Sequence, residues 1–196
     1  MSNRCASIER NTKETKISMT LNIDGSGKAD IATGIGFFDH MLEGFTRHGF
    51  FDLTAKVDGD LRVDGHHTVE DAGIVLGNAI KEAVGDKAGI RRYGYFLLPM
   101  DEVLVACAVD LCGRPYLNFN YDFKAPMVGD FDTELVNEFF YAVSYSAGMN
   151  LHIKVLDGGN AHHVIEAIFK AFAKALDMAT SYDQRVDGVL STKGSL

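Results

Sequence analysis

The sequence predicts an α+β fold made by tandem duplication of a β-β-β-α-β-α unit, with its helices packed between two sheets. Three observations predict it. The string His66-His67-Thr68-Val69-Glu70 recurs as His162-His163-Val164-Ile165-Glu166, an offset of 96 residues. Upstream, Phe37 to Val57 aligns without gaps on Leu135 to Val155 at an offset of 98, so the second loop is two residues shorter. Segments such as Val164 to Leu176 and Leu135 to Val143 carry apolar residues around most of a helical circumference, which requires burial on more than one side.

In the first repeat, residues 4–10, 15–24 and 28–33 are predicted strands, because Ile17, Met19, Leu21 and Ile23 alternate with polar neighbours. A helix follows from Asp39 to His48, then a strand from Asp52 to Val57 and a helix from His66 to Val84. The second repeat runs through strands at 93–98, 102–111 and 115–123, a helix from Asp132 to Ala147, a strand from Asn150 to Leu156 and a helix from Ala161 to Thr180. The repeats are assigned to residues 1–86 and 87–182, with a tail at 183–196. No linker rich in Pro, Gly or Ser separates the halves and neither has a full core of its own, so one compact pseudo-symmetric unit is expected.

A hydrophobic content of 46% with only three prolines describes a chain that folds throughout. The net charge of −8, with Lys and Arg scattered, lacks the basic footprint that nucleic acid requires. Cys5, Cys107 and Cys112 form no CxxC pair, which argues against a disulfide framework or a thiolate zinc site and fits a reducing cytoplasm. Met1 to Lys16 has no apolar core of a leader and no long apolar run occurs, so neither secretion nor a membrane span is expected.

Adjacent histidines on a helix point about 100° apart, so one metal does not easily take both, while a glutamate three or four positions on lies near both rows. Each HHxxE string can therefore serve two ions. Imidazole with carboxylate suits manganese, iron, zinc or nickel. The repeat adds His40, which aligns at offset 98 on Glu138, and both residue types bind such ions. The proposed ligands are His40, His66, His67, Glu70, Glu138, His162, His163 and Glu166, enough for two metals with open positions left for substrate. His152 matches Thr54 and is read as structural or as a partner that orients a ligand, and His48 sits at a helix end where a cation complements the dipole. Arg92 and Arg114 have the fork geometry for phosphate. Lys170 lies eight residues after His162 on nearly the same helix face, and Ser191-Thr192-Lys193-Gly194 offers hydroxyls and a cation in the tail.

At Gly36-Phe37-Phe38-Asp39-His40-Met41-Leu42, Asp64-Gly65-His66-His67-Thr68-Val69-Glu70-Asp71, Cys112-Gly113-Arg114-Pro115-Tyr116 and Asn160-Ala161-His162-His163-Val164-Ile165-Glu166-Ala167, the chain closely resembles the imidazoleglycerol-phosphate dehydratase family, from about Glu9 to Lys193. The resemblance implies a ribosomal protein S5 domain 2-like fold and a cytosolic, single-function hydro-lyase of histidine biosynthesis. That lyase converts imidazole glycerol phosphate to imidazole acetol phosphate, with two Mn2+ per active site and other divalent transition metals as substitutes. It implies a homo-oligomer of 24 subunits with cubic symmetry and sites between subunits. It also implies substrate contacts for Glu14, His48, Arg92, Arg114, Lys170, Ser191 and Lys193, the basic ones chiefly for phosphate, with His40, His66 and His162 beside them at the metal-bearing site. Many members carry histidine where this chain has Glu138, and a carboxylate there keeps the coordination count.

The reaction so implied removes a proton from a carbon with no adjacent carbonyl, so the imidazole ring must store the electrons. Glu14, Glu70 and Glu166 are the candidates for proton transfer, and Glu14 is the better base because the other two are assigned as ligands. A dinuclear metallohydrolase acting on a phosphoester is one rival, and it calls for a bridging aspartate that the sequence does not offer. A non-enzymatic metal-storage or metal-sensing oligomer is another, and it leaves Arg92, Arg114 and Lys193 without a task.

Overall fold

The computed structural model describes residues 4–196, so the first three residues of the first predicted repeat lie outside the described residues. In the first half, strands β1 (Cys5–Asn11), β2 (Thr15–Asn22) and β3 (Ala29–Ala32) precede helix α1 (Gly36–Gly49), strand β4 (Asp52–Gly59) and helix α2 (His66–Val84). The second half repeats the order with β5 (Tyr93–Met100), β6 (Val103–Asp110), β7 (Tyr116–Asn120), a hairpin of β8 (Met127–Val128) and β9 (Phe131–Asp132), helix α3 (Leu135–Ala147), strand β10 (Asn150–Asp157) and helix α4 (Ala161–Thr180).

Each half builds one four-stranded sheet of the same topology, β1-β2-β4-β3 and β5-β6-β10-β7. In both, the last strand in the order runs parallel to its neighbour and the other pairs are antiparallel. Alternation puts Ile17, Met19 and Leu21 of β2, and Val105, Cys107 and Val109 of β6, on the buried face of their sheets. Those faces carry the helices. Helix α2 lies on β1 and β2, and α4 lies on β5 and β6, while α1 packs against α4 and α2 against α3. The α1–α4 and α2–α3 pairs thus each join the two halves, as a single core requires. Among the described residues, no helix is long and apolar enough to cross a membrane.

The α2–α3 and α1–α4 contacts use different chemistry. At α2–α3, Gly73 and Gly77 let the backbones approach, since a Cβ on Gly73 would lie 2.8 Å from the Phe139 carbonyl and one on Gly77 2.7 Å from that of Val143. At α1–α4 the contact is aromatic, with the Phe45 and Phe172 rings stacked at 5.6 Å. Phe172 also meets Phe140 edge-on at 5.4 Å, and Phe139 stacks on Phe169 at 5.2 Å. Such pairs contribute about 0.5–1.5 kcal/mol each beyond the area they bury.

The boundaries depart from the sequence-predicted ones where carboxylates hold the loops that enter the helices. Helix α1 begins at Gly36, ahead of the predicted Asp39, and the Asp39 carboxylate ties down the entering loop by accepting from both the backbone N–H and the hydroxyl of Thr33. Helix α3 begins at Leu135 and not at Asp132. Phe131 and Asp132 pair with Val128 and Met127 around Gly129, which has φ +61°, and the Asp132 carboxylate accepts from the N–H of Glu134. The predicted strand 115–123 stops at Asn120, and Pro126, which has no N–H to give a ladder, follows before the hairpin.

Candidate active site

Both HHxxE strings open a helix, and both openings are held in the same way. The Asp64 side chain accepts from the backbone N–H of His66 at 2.8 Å, and Asn160 from that of His162 at 2.9 Å. The two rings of each pair then diverge, with centroids 6.1 Å apart and planes at 90° for His66 and His67, and 6.2 Å and 81° for His162 and His163. Neighbouring rings face different directions, as the 100° step of a helix dictates.

The first histidine of the second string gathers with residues from across the helix layer. Glu166 Oε2 lies 3.2 Å from His162 Nε2 and 3.7 Å from His40 Nε2, so α1 and α4 together close a group of three metal-competent side chains. Lys170 Nζ, one turn further along α4, is 2.7 Å from Glu166 Oε1. Burial works against the Glu166 carboxylate, yet Lys170, His40 and His162 outweigh it and hold its pKa below the ordinary range. Beside them, burial first and Lys170 next lower the pKa of His48 and favour its neutral form.

The second histidines turn to other partners. His67 Nδ1 is 3.0 Å from Asp60 Oδ2, and its Nε2 is 3.9 Å from Glu14 Oε1. His163 Nδ1 is 3.0 Å from Glu102 Oε2, with Asp101 at 3.9 Å. These carboxylates raise both imidazole pKa values, Asp60 being the main cause for His67 and Glu102 for His163. Glu102 is itself lowered to about 2, first by the backbone N–H of Asn160 and then by His163. Among the described residues, two groups of at least three metal-competent atoms lie within 4.8 Å, namely His40, His162 and Glu166, and Asp101, Glu102 and His163. His66, His67, Glu70 and Glu138 form no such group among the described residues, although Glu138 faces a cleft of about 630 Å³ walled by Tyr121, Phe123 and Lys124. A neighbouring cleft of about 520 Å³ has the same three residues in its wall and reaches His162.

Glu14 is exposed on the β1–β2 turn, and that turn is anchored from below. Thr12 Oγ1 accepts from the N–H groups of Glu14 and Thr15, and the Thr15 hydroxyl donates to the buried carboxylate of Asp71, which also takes Arg10. Asp71 follows Glu70 directly, so α2 positions both the proposed ligand and the turn that bears the proposed base.

The sequence-predicted anion residues meet elsewhere. Arg92, Arg114, Ser191 and Lys193 line one cleft of about 860 Å³ against the tail, where Arg185, which sequence reasoning missed, joins them. Arg92 is already engaged there. Its Nε and Nη2 donate to Asp110 and its Nη1 to the Leu190 carbonyl, which ties β5 to the tail. None of the eight proposed ligands lines that cleft. Asp60 and Glu102 were also missed, because they lie in loops outside the aligned repeat and only the fold carries them to the histidines.

Fold and site together define a duplicated two-sheet protein that presents paired imidazole–carboxylate clusters at the starts of its helices. The family model for imidazoleglycerol-phosphate dehydratase matches residues 33–176. The chain is 66% identical over 99% of its length to imidazoleglycerol-phosphate dehydratase of Lachnoclostridium phytofermentans, covering 99% of it, and 59% identical over 96% to that of Acetivibrio thermocellus, covering 97%. Crystal structures of imidazoleglycerol-phosphate dehydratases from Staphylococcus aureus and Pyrococcus furiosus both superpose with a TM-score of 0.83. They share 42% and 37% identity and match 91% and 96% of this chain, over 99% and 100% of theirs. The chain belongs to the imidazoleglycerol-phosphate dehydratase family.

Proposed function

We propose that the protein is a manganese-dependent hydro-lyase of histidine biosynthesis, working in the cytoplasm, that dehydrates imidazole glycerol phosphate to imidazole acetol phosphate. Family membership supports the reaction, and the gathering of His40, His162 and Glu166 within 4.8 Å is the observation that carries the site. The donor set fits a borderline divalent ion such as Mn2+, because imidazole and carboxylate are offered and thiolate is not. Cys107 points into the core, where burial pushes its thiol pKa up and keeps it protonated.

His40, His162 and Glu166 would hold one of two ions, with His66, Glu70 and Glu138, their counterparts under the repeat, serving the other. His67 and His163 complete the sets. When bound, the ions supply Lewis acidity that makes the substrate's imidazole ring an electron store. The chain's own groups do the rest. Glu14, outside the ligand set and close to His67, moves the proton from carbon. Lys170 holds the Glu166 carboxylate anionic and in place. Arg114, Ser191 and Lys193 take the phosphate, with Arg92 fixing the tail that carries two of them.

The metal-competent groups and the phosphate cleft have no lining residue in common, and we read a substrate that uses both as bridging two copies of the chain. This supports sites shared between subunits of a large homo-oligomer, for which we infer 24 copies. Light scattering on the purified protein measures that number. For the activity, chelator-stripped protein is assayed for the ketone product before and after Mn2+ is added back. Restored turnover is expected. Release of inorganic phosphate without ketone would assign the metallohydrolase, and neither product from protein loaded with metal would leave a storage oligomer.

A further inference from the structure

We propose that Asp60 and Glu102 are positioning residues that lock the second histidine of each HHxxE string through Nδ1, leaving Nε2 as the nitrogen presented to a metal. The inference rests on the metal-binding reading above and adds the groups that orient its ligands. Both oxygens of Asp60 approach His67 Nδ1, at 3.0 and 3.2 Å, and both oxygens of Glu102 approach His163 Nδ1, at 3.0 and 3.3 Å. A carboxylate only accepts, so Nδ1 must be the donor and the lone pair of the neutral ring falls on Nε2. A hydrogen bond at the far ring nitrogen also fixes the plane of the ring, which is how metal-binding imidazoles are generally oriented.

Two features separate this arrangement from a chance surface pair. First, the carboxylates come from places the duplication does not equate. Asp60 follows β4, whereas Glu102 sits in the β5–β6 turn, and yet both end on the same nitrogen of repeat-equivalent histidines. Inheritance from one ancestral repeat does not produce that. Second, Glu102 is itself built in. Its Oε1 accepts from the N–H of Asn160 at 2.7 Å, and a Cβ on Gly159 would fall 2.2 Å from that oxygen, so a glycine is needed for the carboxylate to reach α4. Asn160 in turn caps α4 through His162 N, and one short segment therefore fixes both histidines of the string. Stability gives little reason for either bond, since the His67 and His163 side chains are about one-third exposed, where such pairs contribute little.

The test is a Mn2+ titration of the chelator-stripped full-length protein by calorimetry, with bound metal counted per chain. Asp60→Ala and Glu102→Ala are each expected to weaken manganese binding about 10–100-fold, the usual loss when an outer partner of a ligating histidine is removed. Asp60→Asn and Glu102→Gln keep an acceptor oxygen and are expected to recover binding to within a few-fold of the parent. Parental affinity in the alanine variants would overturn the lock, as would amide variants no better than alanine. A parent that takes up no manganese defeats the metal reading itself. Crystal structures of metal-free Asp60→Ala and Asp60→Asn then decide the lock separately: a His67 ring displaced in the first and retained in the second upholds it, and a ring unmoved in both overturns it.

Discussion

The two hairpin turns that begin the halves each bring a glutamate to the second histidine of their own HHxxE string, but they bring it to opposite edges of the ring. In the first half Glu14 of the β1–β2 turn is near Nε2 of His67 and the loop residue Asp60 takes Nδ1, while in the second half Glu102 of the β5–β6 turn takes Nδ1 of His163. A duplicated scaffold has kept the HHxxE pattern and placed its turn carboxylates differently in the two halves. The same division runs through Lys170, whose counterpart in α2 under the repeat is Ile74. Among the described residues, only the second half sets an ammonium against its HHxxE glutamate.

The largest effect expected from this comparison is at Glu14. Glu14→Gln should lower dehydratase turnover by about 10²–10⁴-fold with manganese content unchanged, the range for loss of a general base. Unchanged turnover in fully loaded protein would return the two turns to equal, structural roles. Next come the helix contacts. Phe172→Ala, at the aromatic α1–α4 contact, should cost about 3–5 kcal/mol in urea unfolding, since a large fully buried ring is lost. Gly77→Ala, at the α2–α3 contact, should cost about 1–3 kcal/mol, because its methyl would press on Ser146 and the Val143 carbonyl. If the glycine variant proves neutral, the middle layer is more pliant than these distances require.

A smaller difference lies at the helix ends. Gly148 terminates α3 at φ +65°, and its repeat counterpart Phe50 terminates α1 at φ +57°, a left-handed conformation that costs a residue with a Cβ about 1–2 kcal/mol. Gly148→Ala should therefore destabilise by about that amount, and Phe50→Gly should stabilise by up to about 1 kcal/mol, offset by loss of the Lys174 contact to its ring. The thermal midpoints should move in opposite directions.

The smallest effect concerns Asp52 and its counterpart Asn150. The Asp52 carboxylate accepts from the N–H groups of Ser26 and Lys28, whereas the Asn150 amide donates to the Arg114 carbonyl. Those backbone donors, Ser26 first, lower the Asp52 pKa, so its contribution is fully present above the unfolded carboxylate value and is lost as pH falls through the depressed one. Asp52→Asn should remove about 1 kcal/mol at neutral pH and flatten the acid limb of the stability profile below about pH 4. An acid limb identical to the parent's would show that Asp52 does not set it.

What could be read from the sequence was whatever the duplication wrote twice. Periodicity gave the strand and helix order, and the second copy gave His40 through Glu138. Residues whose role depends on where a loop lands were not legible. Asp60, Glu102 and Arg185 sit outside the aligned segments, and nothing local distinguishes them from solvated surface charges. Arg92 was legible as a candidate for phosphate, but its pairing with Asp110 and Leu190 depends on how the tail returns across β5.

The crossing of the helix layer has a consequence for how the chain comes to be folded. Because α1 meets α4 and α2 meets α3, the helix faces of the first half that point away from its own sheet find their partners in sequence made later. Contacts so distant along the chain make for slow folding and transient exposure of sticky surface. A nascent chain released up to residue 86 would present Phe38, Phe45 and the Gly73–Gly77 face to solvent. Cotranslational protease protection should consequently rise late and steeply, once α4 has cleared the ribosome, and not in two steps of one repeat each.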